Sequence, residues 1–173
     1  MPSLGKNGKS IDKVNSISDY TRHLLTRDAL QDITHFKLLL SWWKEKSKEK
    51  HHIPSRKDFN PVNFKSVLPS IAIFDPIFRE GELVDLMPTL IGTGLTGVYG
   101  EATGKLISAF ENEYLVQGLL GASRECLQKR EPIGITAKAV SDKLPFMRSF
   151  ALYCPLATDH THIDKLLVQV SFE

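Results

Sequence analysis

Cysteine is scarce in this chain: Cys126 and Cys154 are its only two, and no CxxC pair occurs. Two thiols do not make a disulfide framework, so a reducing, cytoplasmic setting is the simplest expectation. No apolar run approaches the length that crosses a bilayer, and the N-terminal lysines lack the apolar stretch of a secretory signal, so no membrane partner is expected. Strong charge of one sign is also missing. With 22 Lys/Arg against 20 Asp/Glu the formal net charge is +2, which gives no reason to expect nucleic acid as a partner. The charge is uneven, however: residues 1–60 carry 12 basic against 7 acidic side chains, net +5, and residues 61–173 carry 10 against 13, net −3. A solvated face accounts for the basic excess. Catalytic signatures are absent too. There is no GxxxxGK[ST] phosphate loop, no GxSxG nucleophile elbow and no carboxylate pair that stands out. Catalysis is therefore not expected. The alternative, an enzyme on a cone-shaped α+β fold, would need a polar cluster assembled from distant positions.

What the chain does have is glycine in one place. Gly92, Gly94, Gly97, Gly100 and Gly104 fall within a short run between a strand-like segment and a helix-like one. Glycine takes φ > 0 without penalty and lets backbones approach closely, so this run reads as a crossover arching over a sheet. Its glycines do not open directly into a helix as GxGxxG, so turn geometry explains them better than phosphate binding does.

The remaining elements are read around that crossover. Residues 1–27 are expected to form a mobile arm, with at most a helical turn near Tyr20 to Leu25. Residues 28–173 are expected to form a single domain, for which 173 residues and 42% apolar content suffice. An amphipathic helix is predicted over 28–50, capped by Asp28 with Gln31, and ended by His51-His52-Ile53-Pro54. Its apolar stripe of Ala29, Ile33, Phe36, Leu40 and Trp43, widened by Leu39 and Trp42, exceeds what one sheet must cover. Phe36, Leu39, Trp42 and Trp43 are accordingly candidate contacts of a homodimer.

A proline-punctuated connector leads to strands over 70–75 and 83–91. In the second strand Leu86, Pro88 and Leu90 should share one side, and Pro88 places the strand at an edge or beside a bulge. After the glycine run come a turn near 105–110 and a helix over 111–130 stopped by Pro132. Strands over 133–140, 146–156 and 163–172 complete the chain, the last two joined at Asp159-His160-Thr161-His162. The sum is an α+β domain, an antiparallel sheet of about five strands with helices on one face.

This element order is that of a PAS domain, and the residues sharpen the likeness. Over about Phe36 to Phe172 the chain resembles the alphaproteobacterial PAS_5 family. The likeness rests on Trp43, the connector Pro54-Ser55-Arg56-Lys57-Asp58-Phe59-Asn60-Pro61, Leu68-Pro69 and Leu90-Ile91-Gly92-Thr93. Tyr99-Gly100-Glu101-Ala102-Thr103-Gly104-Lys105 and the closing Cys154-Pro155-Leu156 complete it. The resemblance implies a small sensory or interaction domain and supplies no catalytic residue and no named cofactor. Any signal would pass by contact with a signalling protein, since no output segment is evident.

Candidate pocket residues, under the crossover and on the sheet's concave face, are Phe74, Leu90, Tyr99, Phe110, Phe150 and Leu152. Arg148, flanked by apolar residues, joins them if it points inward, where it would bind a carboxylate or phosphate; pointing outward, it is a solvated charge. Asp159, His160, His162 and Asp164 carry metal-capable groups, but an exposed hairpin tip supplies too few ligands to predict a site. Cys126 and Cys154 read as packing residues.

Overall fold

The computed structural model of the chain describes residues 17–48, 52–141 and 144–173. Among them run β1 (Ile17–Leu24), α1 (Arg27–Asp32), α2 (Lys37–Lys48), β2 (Ile71–Arg79), β3 (Glu82–Ile91) and α3 (Thr93–Tyr99). The chain continues through α4 (Glu113–Lys129), β4 (Ile133–Ser141), β5 (Leu144–Leu156) and β6 (Lys165–Phe172). The fold is α+β, built on a curled, fully antiparallel sheet in the order β1-β4-β5-β6-β2-β3. Six strands replace the expected five. The sixth is β1, which lies within the segment expected to be a mobile arm and pairs with β4 from Ile17↔Ser141 to Leu24↔Ile135.

The predicted leading helix is two helices. Thr26, not Asp28, caps α1 by accepting from the Ala29 amide at 3.1 Å. The helix stops at extended Ile33, and a 3₁₀ turn over Thr34–Phe36 drops Phe36 into the core before α2 begins. The break frees the His35 carbonyl, which accepts from Gln169 Nε2 of β6 at 2.7 Å.

Helices cover both faces of the sheet rather than one. Against α2, Ile71 and Ile73 of β2, Leu152, Cys154 and Leu156 of β5, and Leu167 of β6 pack with Phe36, Leu39, Trp43, Phe59 and Phe64. Trp43 Nε1 donates to the Pro155 carbonyl at 2.8 Å, and Trp42 meets Phe59 and Phe64 edge-on. The connector behind these rings is held by a capping box in which the Ser55 amide donates to Asp58 at 2.8 Å. The four candidate interface side chains thus pack inside the chain, with Phe36, Leu39 and Trp43 buried and Trp42 half-buried.

Against α4, Ala72 and Phe74 of β2, Ile133 and Ile135 of β4, Tyr153 of β5, and Leu166 and Val168 of β6 form the second core, with Leu120, Ala122 and Cys126 from the helix. Asn112 caps α4 by accepting from the Leu115 amide at 3.0 Å, and left-handed Arg130 (φ 55°) ends it.

β2 runs through Pro76, where a stop is expected. β6 pairs only with Ile71–Phe74, so beyond that point β2 has β3 alone as neighbour and proline fits. β3 is an edge strand, as Pro88 suggests. No helix among the described residues is long and apolar enough to cross a membrane.

Candidate functional site

The glycine run forms the roof of the site. Gly92 donates to the Ile71 carbonyl at 2.7 Å and caps α3, the short helix that carries Leu95 and Tyr99 over the sheet. A Cβ on Gly92 would overlap the backbone carbonyls of Leu68 and Pro69, so close approach is what this glycine provides. Gly100 ends α3 at φ 83°, and Gly104 at φ 80° donates back to the Pro88 carbonyl at 2.8 Å. Buried Asp85 then ties the following turn to β3, accepting from the Leu86 amide at 2.8 Å, the Ser108 amide at 3.1 Å and Ser108 Oγ at 2.5 Å. Arched backbone is thereby fastened to β2 at its start and to β3 at its end, and α4 closes the remaining side.

Beneath this roof lies a cavity of about 90 Å³. The sheet contributes Tyr20, Ala72, Phe74, Pro88, Ile135, Ala137, Ser149, Ala151, Tyr153, Val168 and Val170. The crossover adds Ile91, Leu95, Tyr99, Ala102 and Phe110, and α4 adds Leu115, Gly118 and Leu119. Space exists because several wall positions are alanine or glycine, while α4 comes close to β1 at Gly118 and Gly121. A Cβ on Gly118 would sit 2.9 Å from the Tyr20 hydroxyl, and one on Gly121 would collide with the Arg22 guanidinium. Arg22 Nη1 in turn donates to the Gly118 carbonyl at 3.2 Å, strapping β1 to the helix. Tyr20 and Gly118 also border a surface recess with Arg22, Glu113, Tyr114 and Gln117, so the β1–α4 seam separates cavity from solvent.

Among the described residues no charged side chain lines the cavity. Its polar side chains are three phenols, Tyr20 of β1, Tyr99 of α3 and Tyr153 of β5, beside the Ser149 hydroxyl of β5. Burial pushes all three above the ordinary tyrosine range, and ionisation of Tyr20 and Tyr99 would further oppose that of Tyr153. They are neutral donors throughout the physiological range.

Of the candidate pocket residues, the structure brings Phe74, Tyr99 and Phe110 to the cavity and sends the others elsewhere. Leu90 faces the opposite side because β3 carries an extra residue. Ile73 pairs with Leu90 while Phe74 pairs with Pro88, so the intervening bulge reverses the alternation and Ile91 takes the inward position. Phe150 and Leu152 belong to the α2 face, and Ser149, Ala151 and Tyr153 are the inward residues of β5. Arg148 shares the Phe150 parity and lies outside the cavity. Its guanidinium stacks 5.0 Å from the Phe150 ring and sits 3.5 Å from Glu173.

The Asp159 to Asp164 segment builds its own turn. Asp159 Oδ1 accepts from the Thr161 and His162 amides at 2.9 and 2.7 Å, and its Oδ2 lies 2.6 Å from His162 Nδ1. These bonds, led by the His162 ring, hold the Asp159 carboxyl well below the usual range. His160 leaves the group, its Nδ1 2.9 Å from the Ile53 carbonyl, and Asp164 accepts from the Thr158 amide. Among the described residues no group of three or more His, Cys, Asp or Glu is placed to hold a metal ion. Burial pushes both thiols up, which leaves Cys126 and Cys154 protonated and unreactive.

Tyr20, Tyr153 and Gly118 were not anticipated as site residues. The signal for the glycines was present: Gly118 and Gly121 weaken the interior of a helix by about 1 kcal/mol each relative to alanine, a cost that points to close approach. No family model matches the chain, and no curated protein matches it either.

Proposed function

We propose that the chain is a PAS-type sensory domain that takes up a small molecule under its glycine-rich crossover and acts through protein contacts, without catalysis. The observation that carries this reading is the apolar cavity between crossover, α4 and sheet, walled by alanine and glycine where larger side chains would fill it. The order of two strands, crossover, long helix and three strands supports it, as do the motifs quoted above. Two buried free thiols suit a cytoplasmic setting.

Native mass spectrometry of the chain purified from cells, with thermal-shift screening against cell extract, tests the reading. A co-purifying small molecule, or a rise in Tm that Ala137→Leu abolishes, is the expected result. No ligand and an experimental structure with a side-chain-filled interior would count against it.

A dimerisation module without ligand is the second reading. Ile77, Phe78 and Val84 favour it, since they remain exposed where the β2–β3 hairpin extends past β6. Light scattering on the full chain and on Phe78→Ser discriminates. A dimer that Phe78→Ser dissociates supports this reading, and a monomer across the micromolar range removes it.

A further inference from the structure

The cavity's chemistry narrows what it accepts, granted the reading of it as a ligand site. Its size comes first. About 90 Å³ is smaller than an engineered apolar cavity of roughly 150 Å³ that holds benzene, and far below a drug-sized pocket. A ring-sized molecule is therefore the upper limit, and seating it needs outward give at the β1–α4 seam.

Charge comes second. With no cation among the described lining residues, a carboxylate or phosphate would be stripped of water with only neutral hydroxyls to replace it. The nearest guanidinium, Arg22, is turned to the Gly118 carbonyl and borders the outer recess instead.

Hydrogen bonding comes third. Tyr153 is 4% exposed, Tyr20 and Tyr99 are half-buried, and all three line the cavity. A phenol hydroxyl on an apolar space both donates and accepts, and a polar partner placed there adds a hydrogen bond. Three such groups on three separate elements converge on one apolar space, which is a recognition pattern for an oxygen atom. They are not needed for packing, since phenylalanine would fill the same positions.

We propose that the cavity takes a small uncharged ligand with a ring-sized hydrocarbon body and one hydrogen-bonding oxygen, of the phenol or cyclic-ketone class, its oxygen seated against Tyr153 with Tyr99 and Tyr20 beside it. Because Tyr20 stands in the wall between cavity and recess, occupancy is felt directly at β1.

The test is an NMR titration of the full chain with four probes: phenol, cyclohexanone, benzene and benzoate. Phenol and cyclohexanone are expected to shift resonances of residues on the α4 face and to bind about fivefold or more tighter than benzene, the worth of one hydrogen bond. Benzoate is expected to bind about tenfold or more weaker than phenol. Tyr153→Phe should bring phenol within about twofold of benzene while leaving benzene unchanged. If that variant does not fold, Tyr99→Phe carries the same comparison, and the ranking of probes on the unaltered chain needs no variant. Benzene binding as tightly as phenol overturns the oxygen inference but leaves the sensory reading standing. Benzoate binding tightest overturns the uncharged class. Silence from all four probes, in a chain that also co-purifies with nothing, overturns both.

Discussion

On the α2 face of the sheet, Phe36, Leu39, Trp43, Phe59 and Phe64 interdigitate with Ile71, Ile73, Leu152 and Leu156 into an aromatic-rich core. On the α4 face, the sheet presents Ala72, Ala137, Ala151 and Val168 to a helix carrying glycine at 118, and a cavity results. One sheet therefore holds a filled layer and a hollow one. Stability should reside mainly in the first and ligand chemistry in the second, because packing density, not hydrophobicity alone, separates them.

Breaking the filled layer should give the largest effect. Phe36→Ala removes a fully buried ring and should cost about 3–5 kcal/mol in urea unfolding. A loss under about 1 kcal/mol would mean the α2 face does not carry the fold. Next comes Gly92→Ala, which pushes a methyl into the carbonyls of Leu68 and Pro69 and should cost about 2 kcal/mol or more. By contrast, Gly121→Ala meets only the movable end of Arg22, and gains helix propensity, so its net effect should stay within about 1 kcal/mol.

A matched pair sharpens the comparison further. Ala157→Leu adds the same bulk to the filled layer, where it should cost about 1–3 kcal/mol, that Ala137→Leu adds to the cavity wall. Ala137→Leu should cost less than Ala157→Leu and should abolish phenol binding. Equal costs would show that the two layers are packed alike.

The smallest effect is acid sensitivity. Backbone bonding from Ser55 lowers the Asp58 pKa in the folded chain, so its contribution is present above the ordinary carboxylate range and is lost as pH falls through the folded value. Asp58 braces the α2 side, whereas no carboxylate among the described residues lines the cavity. Asp58→Asn should therefore flatten the acid limb of a Tm-against-pH profile and leave phenol affinity unchanged.

Much of this arrangement is legible in the sequence, and the failures have physical causes. Five of the strands, the glycine crossover and the span of α4 follow from period and punctuation, because each is a local signal. Strand β1 is not local: its pairing with β4 spans more than a hundred residues, and polar Arg22, on the same side as Tyr20, breaks its alternation. In β5, Phe150-Ala151-Leu152-Tyr153-Cys154 is apolar on both sides because both faces are buried, so periodicity cannot say which side meets the cavity. Placing Phe150 and Leu152 at the cavity from sequence is therefore a choice of parity, and the structure has the other. Cross-strand register settles it, since inward Ile133, Ile135 and Ala137 of β4 oppose Tyr153, Ala151 and Ser149. Leu90 is lost to a bulge, which a single extra residue creates without a sequence mark. The Trp42-Trp43 stripe looked excessive only because the second face of the sheet and the Phe59–Phe64 pair, stacked at 4.5 Å, were not counted as its partners.

Xenon uptake by crystals of the chain measures the contrast most directly, since a polarizable atom enters apolar space without needing a specific bond. The expected result is a xenon atom bounded by Ala72, Gly118, Ala137 and Tyr153, and none among Phe36, Phe59 and Phe64. Xenon within the aromatic layer, or an α4 face closed by side chains that admits none, would contradict the account.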